Sequence, residues 1–531
     1  MAPRILGQCT PPEAENHDMT PSLKWYVDAV KAEAAPHSTL LPRRTIDRVA
    51  RDSPERLAEY FRAIPLEWDS DAPQTIWAPK SFSTYRPLHL TTLQQRTRLQ
   101  ALTRQLRQRL SASRSIGHHS AAIQGPLQGD AQHSHVLSID VAAFYQYIDH
   151  DRLERTLVRS TGDGIAPKEI SDTLLILMGQ RFGLPQLCES SDWLSEVYIQ
   201  PVHRNLLRTG LKLWRYNDDF RVAVDSQSEG QSVLLTVIEE LYNIGLVVNE
   251  SKTFIQTRAE YEEWTNGHAR RWQELLNDAE FSRLVDLSYQ GWVEPDEAEG
   301  SLPDEEERDL LEVCEGVLVR WAASTGPNPV PAEIWEANLD ETLPPPPVMK
   351  RMLARTLALL SNFGNPVAVP YLPQVITWAP ELTRNVSDYL VALTRGNDGD
   401  AASRTIHNID NPLSLSPWQS TWLLQPYLHG AQVTPEASSW INSLVGDRVS
   451  IVAATALRAM AATGNDVADA VGSVFERLDE DGRCEALRAL ADAHGAEALI
   501  RDFAHFTRQN VATEATSDWL RKVSTALPPD G

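Results

Sequence analysis

Leu211-Lys212-Leu213-Trp214-Arg215-Tyr216-Asn217-Asp218-Asp219-Phe220-Arg221-Val222-Ala223-Val224 is the stretch whose reading decides the fold of this 531-residue chain. Apolar, strand-like runs flank Tyr216-Asn217-Asp218-Asp219, so the pattern predicts a hairpin with two adjacent carboxylates at its tip. Such a pair is costly, because like charges repel and a buried carboxylate needs a partner or a metal ion. Hard divalent cations such as Mg²⁺ remove that cost, and phosphoryl transfer requires them.

A third carboxylate is expected on a neighbouring strand. Asp140 fills that place, inside the short apolar run Val136-Leu137-Ser138-Ile139-Asp140-Val141. Phe144, Tyr145 and Ile148-Asp149-His150 follow it. Between the two acidic segments lies Gly183-Leu184-Pro185-Gln186, followed by Ser191, Leu194 and Tyr198 at helical spacing. After the acidic pair come Gly245-Leu246-Val247-Val248-Asn249 and Lys252-Thr253. This ordered set, spanning residues 80 to 255, resembles the reverse transcriptase family, in which the four motifs occur in the same order.

The resemblance implies an α+β right-hand polymerase core, with fingers and palm of the reverse transcriptase type. Asp140 and Asp218 are expected to hold two Mg²⁺ ions, with Mn²⁺ as a substitute, aided by the main-chain carbonyl of Val141. Asp219 is expected to support that site as the third catalytic carboxylate. Positioning and electrostatics would then carry most of the catalysis. In the family, the aromatic at the place of Tyr145 packs under the sugar and excludes a ribose 2′-hydroxyl, which implies a preference for dNTPs. Gln186 matches the glutamine that contacts the incoming nucleotide, and Lys252 is placed to steady or protonate pyrophosphate. Gln186 is normally followed by glycine; here Leu187 stands instead, which suggests a different backbone path or a different handling of the template.

The chain is acidic, with a formal net charge of −23, so a basic surface is not its default. From Ser81 to Gly129 there is no Asp or Glu, while Arg86, Arg96, Arg98, Arg104, Arg107, Arg109 and Arg114 all lie there. That stretch carries +7 and the remainder −30. It matches the fingers of the resembling enzymes, and a local positive field steers phosphates. Arg86 is the candidate for the triphosphate. Arg96, Arg104 and Arg107 are candidates for nucleic acid, the last two on one helical face by their spacing. His118, His119, His133 and His135 bracket a Gly/Gln-rich stretch, read as a loop over the active site; no cysteine is near and the spacing is irregular for zinc.

The motifs stop near residue 255. Helices with Trp264, Trp272, Leu275, Leu276 and Phe281 as anchors are expected from Arg258 to Leu287, where a thumb belongs. The acidic stretch Glu294 to Asp309 reads as an exposed loop, and Pro344-Pro345-Pro346-Pro347 as a stiff extended connector. Beyond it, Gly364, Gly396, Gly430, Gly464 and Gly495 recur at intervals of 32, 34, 34 and 31 residues. Ala456-Leu457-Arg458-Ala459-Met460-Ala461 is echoed by Ala486-Leu487-Arg488-Ala489-Leu490-Ala491. A glycine that lets each helix fold back, at this period, predicts an all-α solenoid-like domain of HEAT type. The expected domains are therefore residues 1–80, a helical extension of the fingers; 81–257, fingers and palm; 258–343, a thumb-like connector; and 344–531, the helical repeats.

A polymerase core joined to such repeats, with no His-Asn-His or Cys-x-x-Cys pattern, resembles the abortive-infection, or defence-associated, reverse transcriptases of bacteria. That resemblance implies a homo-oligomer making DNA from dNTPs, without a conventional template, protein-primed, or copied from a small non-coding RNA. Two other readings stand beside it: a retroelement enzyme copying its own RNA, and a catalytically silent scaffold that binds nucleic acid. Four scattered cysteines, Cys9, Cys188, Cys314 and Cys484, form no disulfide framework and fit a reducing cytosol. No secretory leader and no apolar run near 18 residues predict a cytoplasmic protein with no membrane span.

Overall fold

The computed structural model describes residues 21–35, 40–64, 74–81, 84–110, 119–128, 133–186, 188–265, 311, 314–319, 321–322, 346–396 and 398–526. The expected thumb helices beyond residue 265, the acidic stretch Glu294 to Asp309, Pro344-Pro345, His118 and Leu187 lie outside these residues.

The centre of the first half is a four-stranded antiparallel sheet in the order β4-β5-β3-β6, made of β3 (His135–Asp140), β4 (Lys212–Tyr216), β5 (Asp219–Val224) and β6 (Phe254–Thr257). Side chains alternate across it. Leu137, Ile139, Phe220, Val222 and Val224 pack into one buried core with α8 (Glu189–Arg208) and α9 (Gln227–Tyr242). Each of these side chains contributes roughly 1.5–3 kcal/mol on burial, which fixes the register and therefore the face that carries Ser138, Asp140, Asp219 and Arg221. Ser191, Leu194 and Tyr198 are buried on α8, as their spacing predicts. The helices beside the sheet are bounded by local chemistry. Thr92 and Gln95 form a capping box at the start of α4 (Leu93–Arg107), and Asp149 caps α6 (His150–Thr161), which ends at left-handed Gly162.

A separate two-stranded hairpin, β1 (Thr75–Ser81) and β2 (Thr84–His89), precedes α4. Its inner residues Ile76, Ala78 and Leu88 share a core with the C-terminal helices, not with the sheet. Gln74 fastens it there: its side chain donates to the Arg448 carbonyl and accepts from the Ser450 amide, both at 2.9 Å. The first helices, α1 (Leu23–Glu33), α2 (Thr45–Asp52) and α3 (Pro54–Ala63), share a core with Leu93 and Ala101 of α4 and with Cys484, Ala512 and Ala515 near the chain's end.

The C-terminal region is mostly helical. The two echoed Ala/Leu segments lie in helices Ser450–Ala462 and Glu480–His494, which pack against each other. Gly364, Gly430, Gly464 and Gly495 adopt the positive φ that lets the chain reverse, whereas Gly396 does not. Pro346 and Pro347 open the helix Pro346–Phe363 instead of an extended connector; their fixed φ suits a first helical turn. Trp418 and Trp422 are buried edge-to-face, 6.4 Å apart, and both indoles donate to the Leu40 carbonyl.

Candidate active site

The tip of the β4–β5 hairpin is a two-residue turn. Tyr216 pairs with Asp219, leaving Asn217 and Asp218 between the strands. Asn217 takes a left-handed backbone (φ +50°), which its short polar side chain tolerates. Buried Arg215 braces the turn from below, donating to the Asn217 carbonyl at 2.7 Å and pairing with Glu196 of α8 at 2.5 Å. The end of β3 runs into this tip: Asp140 stands opposite Asp219, and the Val141 amide donates to the Asp218 carbonyl at 3.2 Å. Two carboxylates 78 positions apart in sequence are thus fixed side by side through the backbone.

The Gly-Leu-x-x-Asn segment closes the other flank. Val248 bridges Val141, the Ala142 amide donates to Val247 at 2.8 Å, and the Asn249 amide donates to the Asp140 carbonyl at 2.7 Å. The Asn249 side chain then donates to Asp140 Oδ2 at 2.9 Å, while Lys252 Nζ sits 3.2 Å from Asp140 Oδ1. Both oxygens of Asp140 are held in defined directions.

The Gly-Leu-Pro-Gln loop is docked on the segment after Asp140. Gly183 donates to the Ile148 carbonyl and Leu184 to the Tyr145 carbonyl, each at 2.8 Å, and His150 Nε2 lies 2.6 Å from the Gly183 oxygen. Gly183 has φ +92°, a backbone that strains any other residue; a Cβ there would also stand 2.7 Å from the Met178 methyl, the flexible end of a side chain that would have to move. Ala143 also adopts a left-handed backbone (φ +46°), a conformation that costs a non-glycine residue roughly 1–2 kcal/mol.

These segments enclose a cavity of about 440 Å³ lined by Asp140, Val141, Tyr145, Gln186, Asp218 and Lys252, with Lys80, Arg86, Asp192 and Asn249. Burial, reinforced by Asp140 and Asp219, pushes the Asp218 carboxyl above the usual aspartate range. Burial beside Arg86 and Lys252 pulls the Lys80 ammonium down. The Tyr145 hydroxyl donates to Asp192 at 2.7 Å; burial and that carboxylate raise the tyrosine, and burial raises Asp192 itself. A concave site with several displaced titration points and mixed charge is suited to binding and turning over a polyanion.

Residues 78–275 match the family model for reverse transcriptase (RNA-dependent DNA polymerase). They form a reverse transcriptase domain. Its fold is the fingers and palm of a polymerase, followed in this chain by the mostly helical region. Among curated proteins, none matches the chain.

Within this reverse transcriptase domain, seven of the expected site residues line one cavity: Arg86, Asp140, Val141, Tyr145, Gln186, Asp218 and Lys252. Asp219 is not among the lining residues; its carboxylate reaches Arg221 at 3.5 Å, and Arg221 lies over the Trp264 ring. The arginines expected to meet nucleic acid are elsewhere. Arg96 is largely, though not fully, buried and is engaged by Glu33, Asp47 and Asp481, at 3.4, 3.3 and 3.7 Å. Arg104 and Arg107 do share a face of α4, and both point to Glu189 on α8, at 3.8 and 2.6 Å. None of the three lines the cavity, and acidic neighbours that only the folded chain brings close take up their charge.

Reverse transcriptase domains in general use divalent metals. Among the described residues no group of three or more His, Cys, Asp or Glu side chains is gathered as a metal cluster. The donors present are nevertheless of the right kind: two carboxylates and the Val141 segment around open space, with no sulfur or imidazole, which suits a hard cation. Asp218 is half-buried beside like charges, a state that a cation relieves.

Several lining residues escaped sequence reasoning, Lys80, Asp192 and Asn249 among them. Lys80 stands one position before the acid-free stretch. Asp192 reads as an ordinary acid in a helix's first turn, and Asn249 belongs to a quoted motif but had no assigned role.

Proposed function

We propose that the chain is a DNA-synthesising nucleotidyltransferase that joins dNTPs at this cavity. The observation that carries the reading is the convergence of Asp140 and Asp218 with Asn249, Lys252, Arg86 and Lys80 around one open volume. Mg²⁺, or Mn²⁺ in its place, would be held by Asp140, Asp218 and the Val141 carbonyl and would supply charge neutralisation and a lowered pKa for the attacking 3′-hydroxyl. Asp219 supports the hairpin tip through Arg221. The chain's own cations do the rest: Arg86 and Lys80 on the β1–β2 hairpin take the triphosphate, and Lys252 offers a proton to the departing pyrophosphate. Gln186 contacts the nucleotide. The Tyr145 ring lies under the sugar, anchored through its hydroxyl to Asp192, and rejects a 2′-hydroxyl by collision.

The finer reading is antiphage defence by abortive infection. It is supported by the sequence resemblance and by the joining of a reverse transcriptase domain to a long helical region. In this reading residues 1–80 extend the fingers, 258–343 serve as thumb and connector, and 344–531 form a HEAT-like solenoid. The protein assembles as a cytoplasmic homo-oligomer and makes DNA on a small non-coding RNA or without a template.

Incubating the purified full chain with Mg²⁺, labelled dNTPs and copurifying nucleic acid tests the chemistry. Wild type is expected to yield labelled DNA and Asp218→Asn none; equal product from both overturns the reading. Phage challenge of cells expressing either form tests the defence role, which predicts protection by wild type alone.

A further inference from the structure

We propose that a second cavity, bounded by the end of α4, by α6 and by the C-terminal half of α8, binds the phosphates of a nucleic acid strand. This cavity measures about 740 Å³. Four arginines from three helices surround it: Arg109 after α4, Arg159 on α6, and Arg204 and Arg208 on α8. No Asp or Glu is among its described lining residues, in a chain whose net charge is −23.

Arg109 is committed to buried Asp163, at 2.6 Å. Arg204 donates to the Gln200 side-chain oxygen at 2.5 Å, and among the described residues Arg159, Arg204 and Arg208 have no carboxylate within ion-pair distance. Several other arginines of this domain meet acids: Arg96 meets three, Arg104 and Arg107 share Glu189, and Arg215 meets Glu196. Arg204 and Arg208 are one turn apart, a like-charge spacing that by itself disfavours a helix. Apart from the Arg109–Asp163 pair, no carboxylate stands among the described lining residues, and such clustered positive charge focuses the field on the space it surrounds.

The shape argues against a merely solvated arginine face. Leu110, Val197 and Pro201 line the cavity with apolar surface, and Gln200 and Asn205 add amides, the first accepting from Arg204 and the second donating to Glu240 at 3.1 Å. Guanidinium groups recognise phosphate oxygens with two donors at once, and the amides suit sugar and base edges. Arg204 and Arg208 lie about 6 Å apart along the helix axis, so they address separate phosphates of a chain and not one point. The site is distinct from the catalytic cavity. Asp192 and Arg204 are 12 positions apart on α8, which places the arginine about 18 Å farther along the helix.

The test is fluorescence anisotropy of labelled single-stranded DNA and RNA on the full chain, across a salt series, without dNTPs. Replacing three arginines together (Arg159→Gln, Arg204→Gln, Arg208→Gln) is expected to weaken strand binding about tenfold or more. It is also expected to flatten the slope of log affinity against log salt by about 2, from roughly 0.7 per lost phosphate contact on a single strand. Asp218→Asn is expected to keep wild-type strand affinity while losing DNA synthesis, so failure of the catalytic reading and failure of this site are told apart. In wild type, bound strand is expected to shield Arg204 and Arg208 from phenylglyoxal, a readout that needs no variant. Unchanged affinity and slope in the triple variant, or no shielding, overturns the proposal. Shielding by inorganic tripolyphosphate but not by the strand also overturns it, because the cavity would then be a free-polyphosphate site.

Discussion

Two clusters of opposite charge in this molecule use the same residue types and reach opposite ends. In the first, Arg44 and Arg96 meet Asp481 on the C-terminal helix Glu480–His494, with Glu33 and Asp47 completing the group. The Leu93 amide donates to Asp481 at 3.0 Å, and the Asp481 side chain is 0% exposed. Every strong charge there has a partner. In the second, Asp140, paired with Lys252 at 3.2 Å, and half-buried Asp218, which has no ion pair among the described residues, line an open cavity with Lys80 and Arg86. Closed charge holds the N-terminal helices, α4 and the C-terminal helices together; open charge awaits a ligand. Neighbourhood, not composition, separates structure from chemistry.

Substitutions should therefore divide cleanly between the clusters. Asp140→Asn is expected to lower dNTP incorporation on the order of 10³-fold while leaving the melting temperature near wild type, because an open site loses chemistry and not packing. Asp481→Ala leaves the Arg44 guanidinium and the Leu93 amide without their acceptor, while Arg96 keeps Glu33 and Asp47, and is expected to cost about 3–5 kcal/mol in chemical denaturation, with the folded fraction still able to bind dNTP. If Asp140→Asn instead unfolds the chain, or Asp481→Ala leaves stability intact, the contrast fails.

Smaller effects sharpen it. Asn249→Ala frees one oxygen of Asp140 and is expected to weaken Mg²⁺ activation about 10–100-fold, read from rate against Mg²⁺ concentration. Tyr145→Phe removes the bond to Asp192 and is expected to raise KM for dNTP by up to about a hundredfold, since a hydrogen bond to a charged group contributes about 1.5–3 kcal/mol at most. The titration of Asp218 gives a sign. Its carboxyl is raised by burial, so in the cation-free protein ionising it costs stability as pH rises above the ordinary aspartate range. Mg²⁺ removes that cost, so the gain in melting temperature on adding Mg²⁺ should be larger at neutral pH. It should shrink as pH falls through the raised value; a gain that is flat with pH would contradict this.

Much of the cleft was legible in the sequence because its chemistry is carried by short segments. The hairpin tip, the strand ending at Asp140, the Gly183 turn and the Asn249 segment each announce themselves by local pattern. What stayed hidden is what depends on long-range company. Nothing local says that Arg96 will be taken by Asp481, 385 positions away, or that Arg104 and Arg107 will meet Glu189. The positive φ of Ala143 has no sequence signal, since alanine does not favour it. The partnership of the β1–β2 hairpin with the C-terminal helices was hidden for the same reason: an apolar strand face does not state which core it joins.

The central claim is that Asp140 and Asp218 together form one divalent-cation site beside the triphosphate pocket. Mn²⁺ binding followed by electron paramagnetic resonance tests it without relying on activity. Wild type should bind Mn²⁺ in competition with Mg²⁺, and Asp140→Asn and Asp218→Asn should each lose the same bound fraction. Wild-type Mn²⁺ affinity in either variant would contradict the account.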